Sequence, residues 1–518
     1  MINRRTLLAA GAGLATTAGA FATAATAGAR PRHGHAHGAA WSRLSRSLAG
    51  DLVLPGDAEY DRARKLATAM FDDVRPRAVV YAETPQDVRT AMLFAQDHGL
   101  HTAVRSGGHS YGGWSTTEGL VVNLTRLDHV RPGDGMGPVS IGPGVQAVDV
   151  LPRLTPYGIT VPAGFCPTVS PGGFLTGGGT GWQYRKYGPA SDRLVSARVV
   201  LADGRIVTAS KTSHPDLLWA LRGGGGGNFG VVTDFRVAPT PITRVGHYTL
   251  TWSWSDAQRA VKGYLDWSAQ ASADLACGGI LRLADAKPGS LPVFIVSGVH
   301  FGTPEELEAE LAALASLVGT APATRVVQEL PYDRAMMRVF GCEDKTVDAC
   351  HETGSNPEAA LPRQNWLKNR GRMFHRIPPQ SGVDELLAAF DADRRAGQTR
   401  IVSLLGLGKN ANLPATDATA WVHRDSLFSA TLTVSLATPV PAAEDRAAAE
   451  GWLNGLFGAV DPYSNGRSYV NFPDTNLTNY AQAYYGSNLP RLSRIKSSYD
   501  PHGFFSFPQA VPGAVRKR

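Results

Sequence analysis

Apolar positions between residues 78 and 237 alternate between short unbroken runs and a helical spacing. The runs at 78–82, 101–105, 120–124, 139–141 and 197–201 predict strands. After the first, Thr84 supplies a helix cap, Pro85 the first helical position and Asp87 an acid for the first turn. Val88, Ala91, Met92 and Ala95 then recur on one face, and Gly99 ends the helix. Asp203-Gly204 predicts a hairpin turn. The run Ala238-Pro239-Thr240-Pro241 marks a boundary, beyond which the texture changes. There a strand at 248–254 precedes a helix through Val261, Tyr264 and Leu265. A second helix opens at Thr303-Pro304-Glu305-Glu306 with Leu307, Leu311 and Leu314 on one face. Further strands are predicted at 293–296, 401–405 and 431–436. The fold class is α+β, with short strands first and a sheet backed by helices second. From Tyr469 the chain is again dense in Tyr, Asn and Pro, which predicts a return to the first domain.

With 518 residues the chain exceeds one compact core, and 43% hydrophobic against 18% charged residues describes a globular protein. Its net charge of +7 does not imply a nucleic-acid partner. Arg4, Arg5, Arg30, Arg32, Arg516, Lys517 and Arg518 carry the whole excess, leaving 44 basic and 44 acidic residues elsewhere. Asn3-Arg4-Arg5-Thr6-Leu7-Leu8, a small-residue apolar stretch and Ala27-Gly28-Ala29 read as a twin-arginine signal over 1–29. Residues 30–50 read as a linker, including the solvated His33, His35 and His37. The expected product is secreted or held in the cell envelope, with no membrane association after signal removal. Of four cysteines, Cys342 and Cys350 are spaced to close a small disulfide loop, which export permits. No Cys-x-x-Cys pair occurs, and no metal is expected.

The chemistry lies in two glycine-rich loops. Arg105-Ser-Gly-Gly-His109-Ser-Tyr111 and Ala163-Gly-Phe-Cys166-Pro-Thr-Val169 each present one nucleophilic side chain between residues that let backbone approach a ligand closely. Taken singly, His109 also reads as an ordinary loop histidine and Cys166 as a small buried hydrophobe. The run Arg222 to Gly230 is not a dinucleotide fingerprint, since it leads into a strand and lacks the glycine-then-acid spacing. Neither a Walker-type phosphate loop nor a G-x-S-x-G elbow is present.

In order, these blocks resemble the berberine-bridge-enzyme-like flavoproteins of the vanillyl-alcohol-oxidase/p-cresol-methylhydroxylase superfamily. The resemblance covers about residues 74–237 and 469–510. It also rests on Gly177-Gly-Gly179, on Tyr187 to Asp192, on Leu217 to Gly225, on Tyr484-Tyr-Gly-Ser-Asn and on Tyr499-Asp-Pro. It implies a two-domain FAD-binding fold. The flavin domain is discontinuous, 51–237 with 468–518, and the antiparallel, helix-backed sheet over 238–467 is the substrate domain. It also implies FAD bonded twice, through His109 to the 8α-methyl and through Cys166 to C6 of the ring. Ser106, Gly107, Gly108 and Ser110 are expected at the diphosphate. Gly164, Thr168, Gly172, Gly173 and Gly178 are expected along the ring and ribityl chain. Arg105, Asp192, Val232 and Asn471 complete the expected cofactor set. Val169 matches a position where valine leaves room for O2.

The implied reaction oxidises a substrate alcohol to a carbonyl and reduces O2 to H2O2, on a carbohydrate or on a glycosylated or polycyclic metabolite. In Tyr469-Val-Asn471-Phe472, Phe472 stands where many relatives carry a titratable Tyr or His, so Tyr469 is the expected base. Tyr111 and His423 are candidate substrate contacts, although His423, at an apparent strand end beside Arg424, reads first as a structural residue. Trp252, Trp254, Trp267 and Trp366 could stack on a sugar, but core or sheet packing is the commoner role for such rings. Ser170-Pro171 departs from the usual glycine of the cysteine loop. A dehydrogenase with another acceptor, a non-catalytic flavin-binding protein and an NAD-dependent enzyme remain as alternatives.

Overall fold

The computed structural model describes residues 33–242 and 244–514. The twin-arginine stretch therefore lies outside the described residues. The chain divides into two units, residues 1–43 and 44–518. Helix α1 (His33–Arg46) replaces most of the expected linker. Past Gly38 the run Ala39-Ala40-Trp41-Ser42-Arg43-Leu44 contains no proline, glycine or β-branched residue to interrupt a helix.

The second unit begins with a four-stranded sheet of β1 (Asp51–Val53), β2 (Ala78–Tyr81), β3 (Thr102–Arg105) and β4 (Leu120–Asn123), in the order β1-β2-β4-β3. The pairs β2/β4 and β4/β3 are parallel. Parallel pairing requires crossovers: α2 (Pro85–Asp97) carries the chain from β2 to β3, and the first glycine-rich loop carries it from β3 to β4. Thr84 and Asp87 form a capping box at the start of α2, and Val88, Ala91, Met92 and Ala95 are fully buried.

A second, antiparallel sheet contains β5 (Val130–Arg131), β6 (Val139–Ile141), β8 (Leu194–Val200), β9 (Ile206–Ala209) and β10 (Val231–Val237), in the order β5-β6-β10-β8-β9. The expected turn at Asp203-Gly204 joins β8 to β9. Between β6 and β8 the chain forms α3 (Ala147–Leu154), β7 (Ile159–Thr160) and α4 (Pro171–Thr176). Pro171 is thus the first residue of a short helix, where its missing N–H costs nothing. Helix α5 (Pro215–Leu221) precedes β10, and β11 (Thr240–Pro241) pairs back with β7.

The remaining strands make one antiparallel sheet: β12 (Arg244–Ser253), β13 (Leu275–Leu283), β14 (Val293–His300), β15 (Thr324–Pro331), β16 (Leu367–Phe374), β17 (Gln398–Gly406) and β18 (Phe428–Leu436). Their order is β15-β12-β14-β13-β17-β18-β16. Helices α6 (Ala257–Gln270), α7 (Pro304–Val318), α8 (Gln380–Asp391) and α9 (Ala443–Val460) cover one face and form its core. Trp252, Trp267 and Trp366 are buried in that core and Trp254 packs on Phe390, so none of the four is free to stack on a sugar. Cys342 and Cys350 are joined in a disulfide.

The C-terminal segment does return to the first sheets. Tyr485, and Leu492 and Ile495 of α10 (Leu489–Tyr499), share a core with Leu217, Leu221 and Phe235. A buried ion pair locks the return: Lys496 Nζ donates to Asp500 Oδ2 at 2.6 Å and to the carbonyls of Asn228 and Phe505. Removing one member would strand the other charge in the interior. Lys496→Ala is therefore expected to cost about 3–5 kcal/mol in denaturant unfolding, and a loss below about 1 kcal/mol would mean that the pair is dispensable.

Candidate active site

The first two sheets, the seven-stranded sheet and the C-terminal return enclose a cavity of about 770 Å³. One wall is backbone. Gly107 and Gly108 of the first loop, Gly172 and Gly173 of the second, and Gly225, Gly226 and Gly227 before β10 all line it. The first two loops touch each other. A Cβ on Gly107 would lie 2.9 Å from both the Ser170 nitrogen and the Thr168 oxygen, so only glycine permits this approach.

Each loop delivers its nucleophile to the cavity. His109 Nε2 lies 2.8 Å from Thr168 Oγ1, which ties the two loops side chain to side chain and leaves Nδ1 for a further bond. Its free surface opens into the cavity rather than into bulk water. Burial accordingly holds its pKa down at about 4, against the opposing hydrogen bond to Thr168, and the ring is neutral at pH 7. Burial pushes the Cys166 thiol up, and the Glu352 carboxylate adds to that. Tyr111 is raised by burial and then by Cys166.

Tyr469 lines the same space. Its hydroxyl oxygen accepts from the Gly179 N–H at 2.8 Å and from Asn471 Nδ2 at 2.9 Å. Burial raises the phenol to about 12, while these donors favour the ionised oxygen and limit the rise. Tyr469 stands edge-on to both Trp421 and Phe472, with ring centroids 5.3 and 5.2 Å away. Phe472 also meets Tyr111, at 5.9 Å.

Most of the expected site is brought together. Ser106, Ser110, Gly164, Val169, Val232 and Asn471 line the cavity along with the glycines already named. Five expected residues do not. Arg105 is buried beneath the loop and donates to the carbonyls of Ala63, Arg64, Lys65 and Ser115. Thr168 lies behind His109, which it positions. Gly178, at φ 116°, makes room for the Trp421 ring, which a Cβ would approach to 2.3 Å. Asp192 pairs with Arg424 through two 2.7 Å hydrogen bonds.

The fifth is His423, which is 2% exposed and packs against Trp421 outside the cavity lining. It sits in a loop rather than at a strand end. Burial, with Arg467 and Arg424 adding, holds it near 3, so it is a neutral packed ring and not a substrate contact.

Sequence reasoning missed the opposite wall. Ser403 and Leu405 of β17 with Ser429, Thr431 and Thr433 of β18 face the cavity, while the intervening Val402, Leu404, Ala430 and Leu432 face the helices. Register brings Ser403 beside Thr431 and Leu405 beside Ser429. The alternation Ser429-Ala-Thr431-Leu-Thr433 was the available signal, but alternation alone does not separate a cavity from bulk solvent.

A long cavity with a backbone wall and two nucleophiles, flanked by a polar sheet, has the form of a flavin-binding oxidoreductase site. Residues 76–210 match the FAD binding domain, and residues 468–512 match the segment described as berberine and berberine like. Among curated proteins, an uncharacterised FAD-linked oxidoreductase of Bacillus subtilis is 28% identical over 90% of this chain and 97% of its own. A carbohydrate oxidase of Microdochium nivale is 29% identical over 88% of this chain and 92% of its own. Among solved structures, Physcomitrella patens BBE-like 1 superposes with a TM-score of 0.81 at 24% identity, covering 91% of this chain and 99% of that one. The fold is that of the two-domain FAD-binding proteins, and in sequence the chain is similar to the berberine-bridge-enzyme-like FAD-linked oxidoreductases.

Because Asp192 serves Arg424 and not the cavity, Asp192→Ala is expected to lower unfolding stability by about 3 kcal/mol. The flavin content of the folded fraction should stay unchanged. Flavin-depleted but normally stable protein would instead make Asp192 a cofactor ligand.

Proposed function

We propose that the protein is an oxidase acting on CH–OH groups, with FAD linked through both His109 and Cys166 and O2 as electron acceptor. In this reading residues 51–237 and 468–518 hold the flavin, and residues 238–467 receive the substrate. Bound FAD supplies the hydride acceptor. The protein's share is positioning, proton removal and exclusion of water.

The observation that carries the reading is the setting of Tyr469. Its oxygen accepts two N–H hydrogen bonds inside the cavity shared with His109 and Cys166, an arrangement that supports the negative charge of a phenolate accepting a hydroxyl proton. Phe472 is apolar and takes no proton, so it shapes the space beside Tyr111 and Tyr469. Val169 lines the cavity, and in this reading its small side chain would leave room for O2. The sheet wall offers Ser403, Ser429, Thr431 and Thr433 and no ionisable group, which suits a neutral substrate bearing several hydroxyls. Carbohydrates and glycosylated metabolites meet that description. Export by the twin-arginine route fits covalent retention of a cofactor acquired before secretion.

Two measurements test this. Acid-precipitated protein should stay yellow in the wild type and in the His109→Ala and Cys166→Ala single variants, because one bond remains in each. The double variant should release all its flavin. Release from either single variant would refute double attachment.

The second is H2O2 formation on neutral polyols. Since burial raises Tyr469 to about 12, its ionised fraction grows about tenfold per pH unit below that value. The wild-type kcat should therefore climb from neutral into alkaline pH. Tyr469→Phe should lose about 10²–10⁴-fold in kcat and flatten the profile. A variant retaining both rate and profile would remove Tyr469 as the base, and no flavin reduction by any alcohol would leave a non-catalytic flavin-binding protein.

A further inference from the structure

Residues 340–366 form an excursion between the helix Tyr332–Val339 and β16. It is closed on itself by the buried Cys342–Cys350 disulfide. Neither end of this excursion enters the cavity lining, yet each is fastened to a different nucleophile loop.

At one end, His351 Nε2 lies 3.2 Å from Asp149 Oδ2, and His351 Nδ1 lies 2.9 Å from the Val347 carbonyl. Both partners are acceptors, an arrangement that favours the doubly protonated ring, and the hydrogen bond to Asp149 raises the His351 pKa against the opposing burial. Asp149 belongs to the first turn of α3. The two preceding amides of that turn hold the cysteine loop: Ala147 N–H donates to the Val169 carbonyl at 3.0 Å and Val148 N–H to the Pro167 carbonyl at 2.9 Å. These carbonyls flank Cys166 on its C-terminal side. The path from His351 to Cys166 is therefore one ion pair, one helical turn and two backbone hydrogen bonds.

At the other end, Arg363 grips Asp72 with both terminal nitrogens, at 2.9 and 2.6 Å, and donates from Nε to the Leu66 carbonyl at 2.8 Å. Gln364 continues the contact as a short backbone ladder. Its N–H donates to the Ala67 carbonyl at 3.0 Å, and its carbonyl accepts from Ala69 N–H at 2.7 Å. Ala67 N–H in turn donates to the carbonyl of Gly108, the residue before His109. A planar two-point guanidinium–carboxylate contact fixes orientation as well as distance.

We infer that residues 342–364 are a two-ended clamp, in which His351 positions the Cys166 loop and Arg363 positions the His109 loop. The inference rests on the proposed double linkage for its main readout. A bond to one ring atom needs its nucleophile placed within a fraction of an ångström, and two bonds to one ring need the two loops in a fixed relation. The loops meet directly at Gly107 and Thr168, and the clamp supplies a second, independent tie for each.

The test uses the full-length protein and the apolar variants His351→Met and Arg363→Met. Peptide mass spectrometry reads the flavin linkage at Cys166 and His109 separately, and hydrogen exchange reads the two loops. His351→Met should lower linkage at Cys166 severalfold and speed exchange over 146–169 by about tenfold, leaving His109 and 66–72 as in the wild type. Arg363→Met should do the reverse. A merely destabilised protein would lose both linkages and both protections together, and that result, or no change at either loop, overturns the clamp. If wild-type protein carries no linked flavin, the double-linkage reading fails by itself. The exchange pattern then decides the clamp alone, by whether each variant loosens only its own loop.

Discussion

Two loops 59 residues apart, counted from His109 to Thr168, meet at the closest distance that backbone allows. The absence of a side chain at Gly107 lets the first loop rest on the Thr168 carbonyl and the Ser170 amide. Everything else in the site depends on that contact. It sets where His109 and Cys166 stand relative to each other, and it leaves a wall of backbone facing a cavity of about 770 Å³. The surrounding elements act as buttresses to this contact. Arg105 holds the first loop from beneath, α3 holds the second by its amides, and the C-terminal return closes the far side through the buried Lys496–Asp500 pair.

Desolvation then sets the chemistry. Burial in the cavity wall pushes four titratable groups toward their neutral forms: His109 down, and Cys166, Tyr111 and Tyr469 up. A neutral imidazole is a better nucleophile than an imidazolium, so the lowered pKa of His109 suits bond formation at pH 7. A phenol held near 12 suits removal of an alcohol proton in concert with departure of the hydride, because its basicity lies closer to that of an alkoxide than a carboxylate's does. The sheet wall adds hydroxyls without charge. The backbone amides of the glycine loops are suited to receive the charge that a cofactor would bring with its diphosphate.

What the sequence made legible was local. Thr84 and Asp87 announced α2, Thr303 and Glu306 announced α7, and the glycine blocks marked the loops that do line the cavity. The charged members of the same blocks were misassigned for a common reason. A motif shows which residues belong together without showing which way each one points. Arg105 and Asp192 turn away from the cavity because a buried charge needs several partners, and backbone carbonyls and Arg424 provide them inside the protein. His423 and the four tryptophans have the chemistry of recognition groups, but packing is the commoner role for such rings and is the one they take here. The hydroxyl wall escaped notice because Ser429, Thr431 and Thr433 look like any solvent-facing strand until another layer of the fold covers them.

The placement of both nucleophiles between layers follows from the same logic. A loop nucleophile at a domain surface would be mobile and solvated, and its pKa would stay ordinary. Here both nucleophile loops are covered by the seven-stranded sheet on one side and by the return around Tyr469 on the other. Covering them costs hydrogen-bonding opportunities, which the structure recovers by pairing the loops with each other and with segments far away in sequence, such as Asn471 with Phe174 and Lys496 with Asn228. Those long-range pairings make the cavity cooperative. The glycine-loop wall, Tyr469 and the sheet wall are assembled from residues 71 to 509, so no single stretch of the chain presents the cavity by itself.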